Sequence, residues 1–226
     1  MMTQIIDLTL PIPETEPEKA SPDEPFANVR TIDTHLWRLK QGSRAYEARV
    51  HTLHHWGMAG TYIDFPGHIV GTDDGHSAAT VPLERLFRQE AVVIHLDRAD
   101  GSGKIDVAEL EQALSTPLDT PSVIINALGE RRFDEIEERS VYLSIGVARW
   151  LVAAGVRLLV SDVYESNTDP QGVFPELFAS GVYAVCSPVN LHAIRRPRVR
   201  LSALPLRQTG ATQLPCRLVV EQETDA

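Results

Sequence analysis

The sequence predicts an α/β protein folded as a single domain. Short runs of aliphatic and β-branched residues at 91–96, 122–127 and 156–160 are typical of buried strands. Patterns of helical period at 106–114 and 144–154 alternate with these runs. A chain of 226 residues is long enough for one well-buried core, and neither an internal repeat nor a clear linker divides it. We therefore expect one domain that spans the whole sequence.

The N-terminal quarter is predicted to contain a strand, a surface segment and a hairpin. Residues 4–10 have the composition of a strand. The segment 11–28 contains five prolines and five acidic residues, so it can bury little and is expected to be a surface loop or arm. Residues 29–40 and 44–53 alternate in polarity and are rich in β-branched and aromatic residues. This pattern predicts a strand pair that turns at Gln41–Gly42.

Two helices are predicted from their caps. Asp106, with Glu109 three residues later, is a capping-box pattern, and Pro117 ends that helix soon afterwards. Ser144 can cap a second helix, and Gly155 suits the left-handed position that follows its C-terminus. The chain is then predicted to end in strands near residues 181–186, 199–207 and 216–221.

The composition argues against several classes of protein. A net charge of -10 argues against a nucleic-acid-binding protein, because phosphates require a basic surface. We interpret the arginines between 195 and 200 as a solvated loop or strand edge. No apolar run approaches the roughly 20 residues that span a bilayer, and the first residues show no signal-peptide pattern. Two cysteines, Cys186 and Cys216, are too few for a disulfide-built secreted protein. We therefore expect a cytoplasmic protein with neither a nucleic-acid nor a membrane partner.

Residues 58–68 read M-A-G-T-Y-I-D-F-P-G-H and resemble the signature H-x-G-T-H-x-D-x-P-x-H of the cyclase family. This family of metal-dependent hydrolases includes bacterial kynurenine formamidase. Met58 and Tyr62 stand in place of the two leading histidines. The positions that match the signature are Gly60, Thr61, Asp64, Pro66 and His68.

Weaker similarity extends along most of the chain. Segments 5–9, 81–94, 142–151 and 204–217 resemble, in order and spacing, other segments of the cyclase family. The resemblance implies the family's fold, a β-barrel-like mixed sheet flanked by helices. It also implies assembly as a homodimer or homotetramer.

The resemblance places a degenerate metal site in this chain. In the cyclase family, two divalent ions are held by the two signature histidines, the signature aspartate, and a later histidine and glutamate. Phe174 and Cys186 stand at the later two positions, so only Asp64 keeps a family ligand. A thioether at Met58 and a phenol at Tyr62 are poor ligands for zinc, manganese or magnesium. We therefore predict no metal and no other cofactor.

An acid–base group and a pocket remain at the positions of this site. His68 stands where the family has its catalytic histidine, and Asp64 and Tyr62 are predicted to share proton transfer with it. Alternatives stay open for these residues. Asp64 and His68 could serve only packing and turn geometry. Cys186 could be a nucleophile beside His68 or an inert core thiol. The pocket for a small-molecule substrate is expected to be lined by Met58, Phe65, Phe174 and Cys186.

Three functions are compatible with these residues. The first is an enzyme that catalyses cyclisation, dehydration, isomerisation or ring opening without a metal. The second is a metal-dependent, formamidase-like amide or lactam hydrolase with a site rebuilt from His51, His54 and His55. The third is a non-catalytic homologue that binds a small ligand. Chelator sensitivity separates the first two, and loss of turnover on substitution of His68 separates the first from the third.

Overall fold

The computed structural model of the protein describes residues 2–17, 28–98, 100–137 and 139–224. Most of the segment 11–28, namely residues 18–27, lies outside the described residues, so the expected surface loop or arm there stays a prediction. The two ends of the segment are described and pair with each other as short antiparallel strands.

The described ranges contain fourteen strands and three α-helices. The strands are β1 (Met2–Asp7), β2 (Thr15–Pro17), β3 (Asn28–Arg30), β4 (Ile32–Gln41), β5 (Arg44–Leu53), β6 (Tyr62–Asp64), β7 (Gln89–His95), β8 (Gly103–Ile105), β9 (Ser122–Asn126), β10 (Val141–Leu143), β11 (Leu158–Ser161), β12 (Tyr183–Cys186), β13 (Arg198–Pro205) and β14 (Gln213–Thr224). The helices are α1 (Val107–Ala113), α2 (Ile145–Ala153) and α3 (Val173–Ala179). Short 3₁₀ helices lie at Pro66–His68, Leu83–Arg85 and Leu191–Ala193.

Seven of these strands close into a barrel. Their order is β14–β13–β7–β9–β11–β12–β6, and β6 pairs back onto β14. The strands β7, β9, β11 and β12 run parallel, whereas β6, β13 and β14 pair antiparallel with their neighbours. β1 adds to the C-terminal half of β14. The predicted α/β class and the β-barrel-like mixed sheet flanked by helices are confirmed.

Side chains that point into the barrel form one of two buried cores. Successive residues of a strand face opposite sides, so residues in register across the sheet form rows on one face. One inner row, completely or almost completely buried, consists of Val93, Ile124, Val160, Val185 and Ile63. This row passes around the barrel as far as β6.

The second core lies between the outer face of the sheet and the helices. The outer row adjacent to the inner one contains Val92, Val123, Leu159 and Ala184, all buried. Helices α2 and α3 contribute apolar side chains to the same cluster, Leu151 and Leu177 among them. Burial of this helical face holds both short helices against the barrel.

The helix predictions are confirmed in position, with one correction. At α2, the Ser144 hydroxyl accepts the backbone N–H of Val147 at 3.3 Å, and Gly155 has the expected positive φ of +82°. The capping box predicted at α1 is wrong, because the Glu109 carboxylate forms an ion pair with Arg98 at 2.8 Å instead of reaching back. Within the described ranges, no helix is long and apolar enough to cross a membrane.

The Ser144 cap provides a test of this account of α2. Ser144→Ala removes the acceptor for an N–H that the helix cannot satisfy itself, so the free energy of unfolding should fall by about 1 kcal/mol in urea denaturation. Ser43→Ala, in the exposed hairpin turn, is the control and should change stability by less than about 0.5 kcal/mol. Equal stability of the two variants would contradict the capping role.

Candidate active site

Three residues of the signature build the backbone around β6. Gly60 has a φ of +61°, and a Cβ there would meet the Leu10 carbonyl oxygen at 2.5 Å, so only glycine fits. The Thr61 hydroxyl donates to the Ser187 carbonyl at 2.8 Å and accepts the Leu10 N–H at 2.7 Å. Pro66 opens the 3₁₀ helix that carries His68. Gly60, Thr61 and Pro66 therefore fix where β6 and its flanking turn lie.

The alternation of side chains along β6 separates the predicted site residues. Tyr62 and Asp64 face outward, and Asp64 continues the outer row beyond Ala184. Phe65 faces the barrel interior, where it is fully buried and packs edge-on against Tyr183 with ring centroids 5.2 Å apart. The structure thus brings Tyr62 and Asp64 together and places Phe65, predicted for the same pocket, on the opposite side of the sheet.

Asp64 and His68 are bridged by an amide from β14. Gln213 lies opposite Asp64 in the strand register, and its Nε2 donates to Asp64 Oδ1 at 2.7 Å. The same nitrogen lies 3.2 Å from the Nε2 of His68, whose side chain is exposed at the edge of the site. The amide N–H can donate to the His68 ring in the tautomer that leaves the lone pair on Nε2.

Burial dominates the electrostatics of Asp64. Its carboxyl is only 3% exposed, and this desolvation raises its pKa to about 6, although the Gln213 hydrogen bond and the nearby His68 act in the opposite direction. Asp64 can therefore take up and release a proton near neutrality, whereas an ordinary exposed aspartate is ionised there.

Tyr62 and Cys186 form a protonated pair beside the carboxyl. They lie opposite each other in the β6–β12 register, and their side chains are hydrogen-bonded. Burial raises the pKa of both the phenol and the thiol, and the charge of Asp64 adds to the rise. The Cys186 sulfur lies 4.0 Å from Asp64 Oδ2. Both groups are therefore donors near neutrality, and the environment does not activate Cys186 as a nucleophile.

An aromatic wall from the helix side adjoins these groups. Phe174 on α3 stacks on Tyr164 with ring centroids 4.9 Å apart and planes at 18°. The Tyr164 hydroxyl is anchored by donating to the Val185 carbonyl at 2.8 Å. Met58 is half-buried in the turn before β6. The stacked rings of Phe174 and Tyr164 thus provide an apolar surface on the helix side of β6.

Gln213 was not among the site residues predicted from the sequence. It lies outside the strand predicted at 216–221, and 149 residues separate it from Asp64. A glutamine near the start of a strand carries no chemical pattern of its own. Only the pairing of β14 with β6 reveals its role.

The donors present do not fit the metal pair of the cyclase family. Among the described residues, no three His, Cys, Asp or Glu side chains lie close enough to hold a metal ion. At the five ligand positions of the family, Asp64 is the one carboxylate, beside a thioether, a phenol, a phenyl ring and a thiol.

The three histidines considered for a rebuilt site contact neighbouring groups of their own segment. His51, on β5, contacts the Thr34 hydroxyl at 3.0 Å across the hairpin. His54 lies 3.4 Å from the Asp33 carboxylate, and the His55 ring contacts the carbonyl of its chain neighbour. Each ring therefore has its own local partner.

Several solved structures resemble this chain in fold. The solved structure of a predicted metal-dependent hydrolase from Bacillus stearothermophilus is 18% identical over 99% of this chain and 100% of that chain, with a TM-score of 0.65. Isatin hydrolase A from Labrenzia aggregata, bound to benzyl benzoate, is 17% identical over 97% of this chain and 93% of that chain, with a TM-score of 0.73. Isatin hydrolase A from Ralstonia solanacearum is 15% identical over 98% and 92% of the two chains, with a TM-score of 0.70.

These structures share the fold of this chain, but their sequence identities are too low to show a shared activity. No match is found among curated protein sequences. The sequence profile described as "Putative cyclase" matches residues 6–168, which include the whole signature and four of the seven barrel strands, β6, β7, β9 and β11. The chain therefore belongs to the cyclase family.

Proposed function

We propose that this chain is a small-molecule enzyme that performs proton-transfer chemistry without a divalent metal. The observation that carries the proposal is the Gln213 amide, which bridges Asp64 and His68 at 2.7 and 3.2 Å. This N–H donor occupies Oδ1 of the carboxylate. The bridge instead holds a carboxyl and an imidazole in one arrangement, which is what general acid–base catalysis requires.

The roles of the groups follow from their protonation. Asp64, with its pKa raised to about 6, is the proposed base that removes a proton from the substrate. In ring opening it removes that proton from the water that adds to the ring carbonyl; the carbon–nitrogen bond then breaks and the departing ring nitrogen takes up the proton. His68, exposed at the mouth of the site, exchanges protons with the substrate and with water. Tyr62 stays protonated and donates a hydrogen bond to the oxygen on which negative charge develops.

The reaction class follows from the donors at the family's ligand positions. Hydrolysis of an ordinary amide relies on a metal-activated hydroxide in enzymes of this kind, and the donors here do not support one. Cyclisation, dehydration, isomerisation and opening of an activated ring need only a placed acid and base. Phe174 and Met58 favour a planar, partly apolar substrate, and the likeness to isatin hydrolases makes isatin a suitable first probe.

Metal content is the first test of metal independence. The purified chain, expressed with zinc and manganese supplied, should contain less than about a tenth of an equivalent of either metal by plasma mass spectrometry, because Asp64 is the sole charged donor at the family's ligand positions. EDTA should leave turnover unchanged. Loss of turnover in EDTA, with recovery on addition of manganese, would contradict the proposal and favour the formamidase-like hydrolase.

Substitution of the acid–base pair tests the catalytic roles. His68→Gln and Asp64→Asn each remove one proton-transfer group with little change in volume, so kcat for isatin ring opening should fall at least about 100-fold. His192→Gln, at a half-buried histidine outside the site, is the matched control and should retain activity. If the wild-type protein binds isatin without turnover, the result would favour a non-catalytic homologue that binds a small ligand.

Gln213 provides a separate test of the bridge. Gln213→Leu removes the donor shared by Asp64 and His68, so kcat should fall about tenfold while KM changes less. The ¹⁵N shifts of His68 should also change, because its Nε2 loses the facing donor. Gln208→Leu, at an exposed position, is the control. Unaltered His68 shifts and an unaltered kcat in Gln213→Leu would exclude a positioning role.

A further inference from the structure

Three parallel strands of the barrel end in polar residues at one mouth of the barrel. His95 is the last residue of β7, Asn126 is the last residue of β9, and Asp162 directly follows β11. Where strands run parallel in α/β proteins, ligands bind at the carboxyl ends of the strands. This mouth of the barrel is therefore a candidate for a second binding site.

The polar residues at this mouth lie on the opposite face of the sheet from the candidate active site. His95 and Asn126 are opposite each other in the β7–β9 register, two residues beyond the inner pair Val93 and Ile124. Side chains two residues apart in a strand share a face, so His95 and Asn126 face the barrel interior. The acid–base groups on β6 face outward, and the two sites are separate.

Two cavities open at this mouth. The larger has a volume of about 570 Å³ and the smaller of about 100 Å³, and Asn126, Gly129 and Glu130 line both. Leu96 and Ile194 give the larger cavity an apolar wall. Sites for small molecules have volumes of about 300–1,000 Å³ and combine such apolar walls with a few polar groups. The larger cavity therefore has the size and lining of a small-molecule site.

Asn126 has an unpaired polar atom at these cavities. The residue is only 2% exposed, and its Nδ2 lies 3.1 Å from Nδ1 of the His95 ring. Among the described residues, its Oδ1 has no hydrogen-bond partner. Buried polar atoms in native proteins are nearly always paired, because an unpaired one costs free energy. Oδ1 requires an N–H or O–H donor, and a ligand in the cavities that Asn126 lines can supply it.

A cation lies at the His95 end of the larger cavity. Partial burial lowers the pKa of His95, the hydrogen bond of its ring with the Ile194 backbone opposes this change, and the positive charge of Arg195 adds to the fall. The backbone N–H of Arg195 donates to the buried side chain of Gln222 at 2.8 Å. The guanidinium is therefore carried on a fixed segment of backbone, and it can receive an anionic group of a ligand.

Two carboxylates line the same cavity. Asp97 and Glu130 belong to its lining, and a Cβ on Gly129 would lie 3.4 Å from Asp97 Oδ1. Both acidic groups thus lie at the turn after β9. Within the described part of the chain, neither forms an ion pair with Arg195. Opposite charges that share a cavity without pairing are complementary to a ligand that carries both signs itself.

A buried carboxylate holds the acidic turn in place. Asp162 accepts the backbone N–H groups of Ala127 and Leu128 at 2.8 and 3.1 Å. Gly129 and Glu130 follow directly in the chain, so the end of β11 fixes the turn that carries them. A site built on the ends of strands is in position before the ligand arrives, which lowers the entropic cost of binding.

We propose that the barrel mouth at the carboxyl ends of β7, β9 and β11 binds a free α-amino acid with an apolar side chain. Arg195 receives the carboxylate, and the ammonium group donates to Asn126 Oδ1 and is attracted to the two carboxylates of the cavity. The apolar wall of the larger cavity packs against the side chain. This site is independent of the proposed acid–base chemistry, which lies on the other face of the sheet.

Titration calorimetry of the full-length chain tests the ligand class with L-leucine and L-phenylalanine. At least one of these amino acids should bind with a Kd below about 1 mM. Their amides lack the carboxylate and their N-acetyl derivatives lack the ammonium group, so both kinds of derivative should bind at least about tenfold more weakly. Absence of binding by either amino acid at about 5 mM would overturn the proposal, and so would amides that bind as tightly as the free acids.

Arg195→Gln tests the cationic end of the site. Arg195 is exposed, so the variant should fold normally, while binding of the free amino acid should weaken at least about tenfold and binding of the amide should not change. Arg200→Gln is the matched control, because this exposed arginine lines neither cavity. Equal affinity of the two variants for the amino acid would contradict the assigned role of Arg195.

Asn126→Leu tests the unpaired carbonyl. The substitution removes Oδ1 with little change in volume, so binding should weaken at least about tenfold. Its Tm should equal or exceed that of wild type, because an unpaired buried polar atom is replaced by an apolar one. A lowered Tm with unchanged affinity would make Asn126 a structural residue and exclude its role in the site. Arg195→Gln decides the question if Asn126→Leu does not fold.

Asp64→Asn distinguishes the second site from the proposed active site. This variant should lose turnover of isatin and bind the amino acid as tightly as wild type does. Loss of turnover with retained binding in Asp64→Asn supports two independent sites. Loss of amino-acid binding in Asp64→Asn would place the ligand in the candidate active site and overturn the inference.

Discussion

The pairing of β6 with both β12 and β14 is the constraint on which the fold and the candidate site depend. β6 is only three residues long, yet it joins two strands that no other pairing connects at this point. Its position is fixed from outside the sheet by the Thr61 hydroxyl, which ties the Leu10 N–H to the Ser187 carbonyl. Once β6 is in place, the register sets Asp64 between Ala184 and Gln213.

At that position the Asp64 carboxyl is buried, and the neighbouring Gln213 amide partly stabilises its charge. The outer row that leads to Asp64 is apolar, and an unpaired charge at its end would cost several kcal/mol. A hydrogen bond to a charged group contributes about 1.5–3 kcal/mol, so the Gln213 amide offsets only part of this cost. The two magnitudes agree with a pKa that is raised to about 6 and not to the value of a fully unpartnered buried carboxyl.

Local patterns in the sequence predicted the parts of the fold that local interactions determine. The α2 helix, with Ser144 and Gly155 at its ends, and the β4–β5 hairpin are both of this kind. The capping box at Asp106 failed because Glu109 found a charged partner in Arg98, outside its helix. Strands of three residues, such as β6, are too short to show a periodicity.

The candidate site was predictable only where its residues are close in sequence. Asp64 and His68 belong to one motif, whereas Gln213 joins them through a strand pairing across 149 residues. The alternation of β6 could have been used to separate Tyr62 and Asp64 from Phe65, since adjacent strand residues face opposite sides. The family resemblance put all of them in one pocket because it carries no information about which face a residue takes.

The same geometry explains how a cyclase signature can persist without its metal ligands. Gly60 and Thr61 are needed for barrel closure, through a backbone contact that no Cβ can enter and through hydrogen bonds to two separate segments. These residues would be required in a catalytic protein and in a non-catalytic one, so their presence is evidence for the fold alone. Tyr62 and Cys186 face away from the barrel interior, where they can be exchanged without disturbing its packing. Evidence about the chemistry must therefore come from the outer face, where the Gln213 amide contacts both Asp64 and His68.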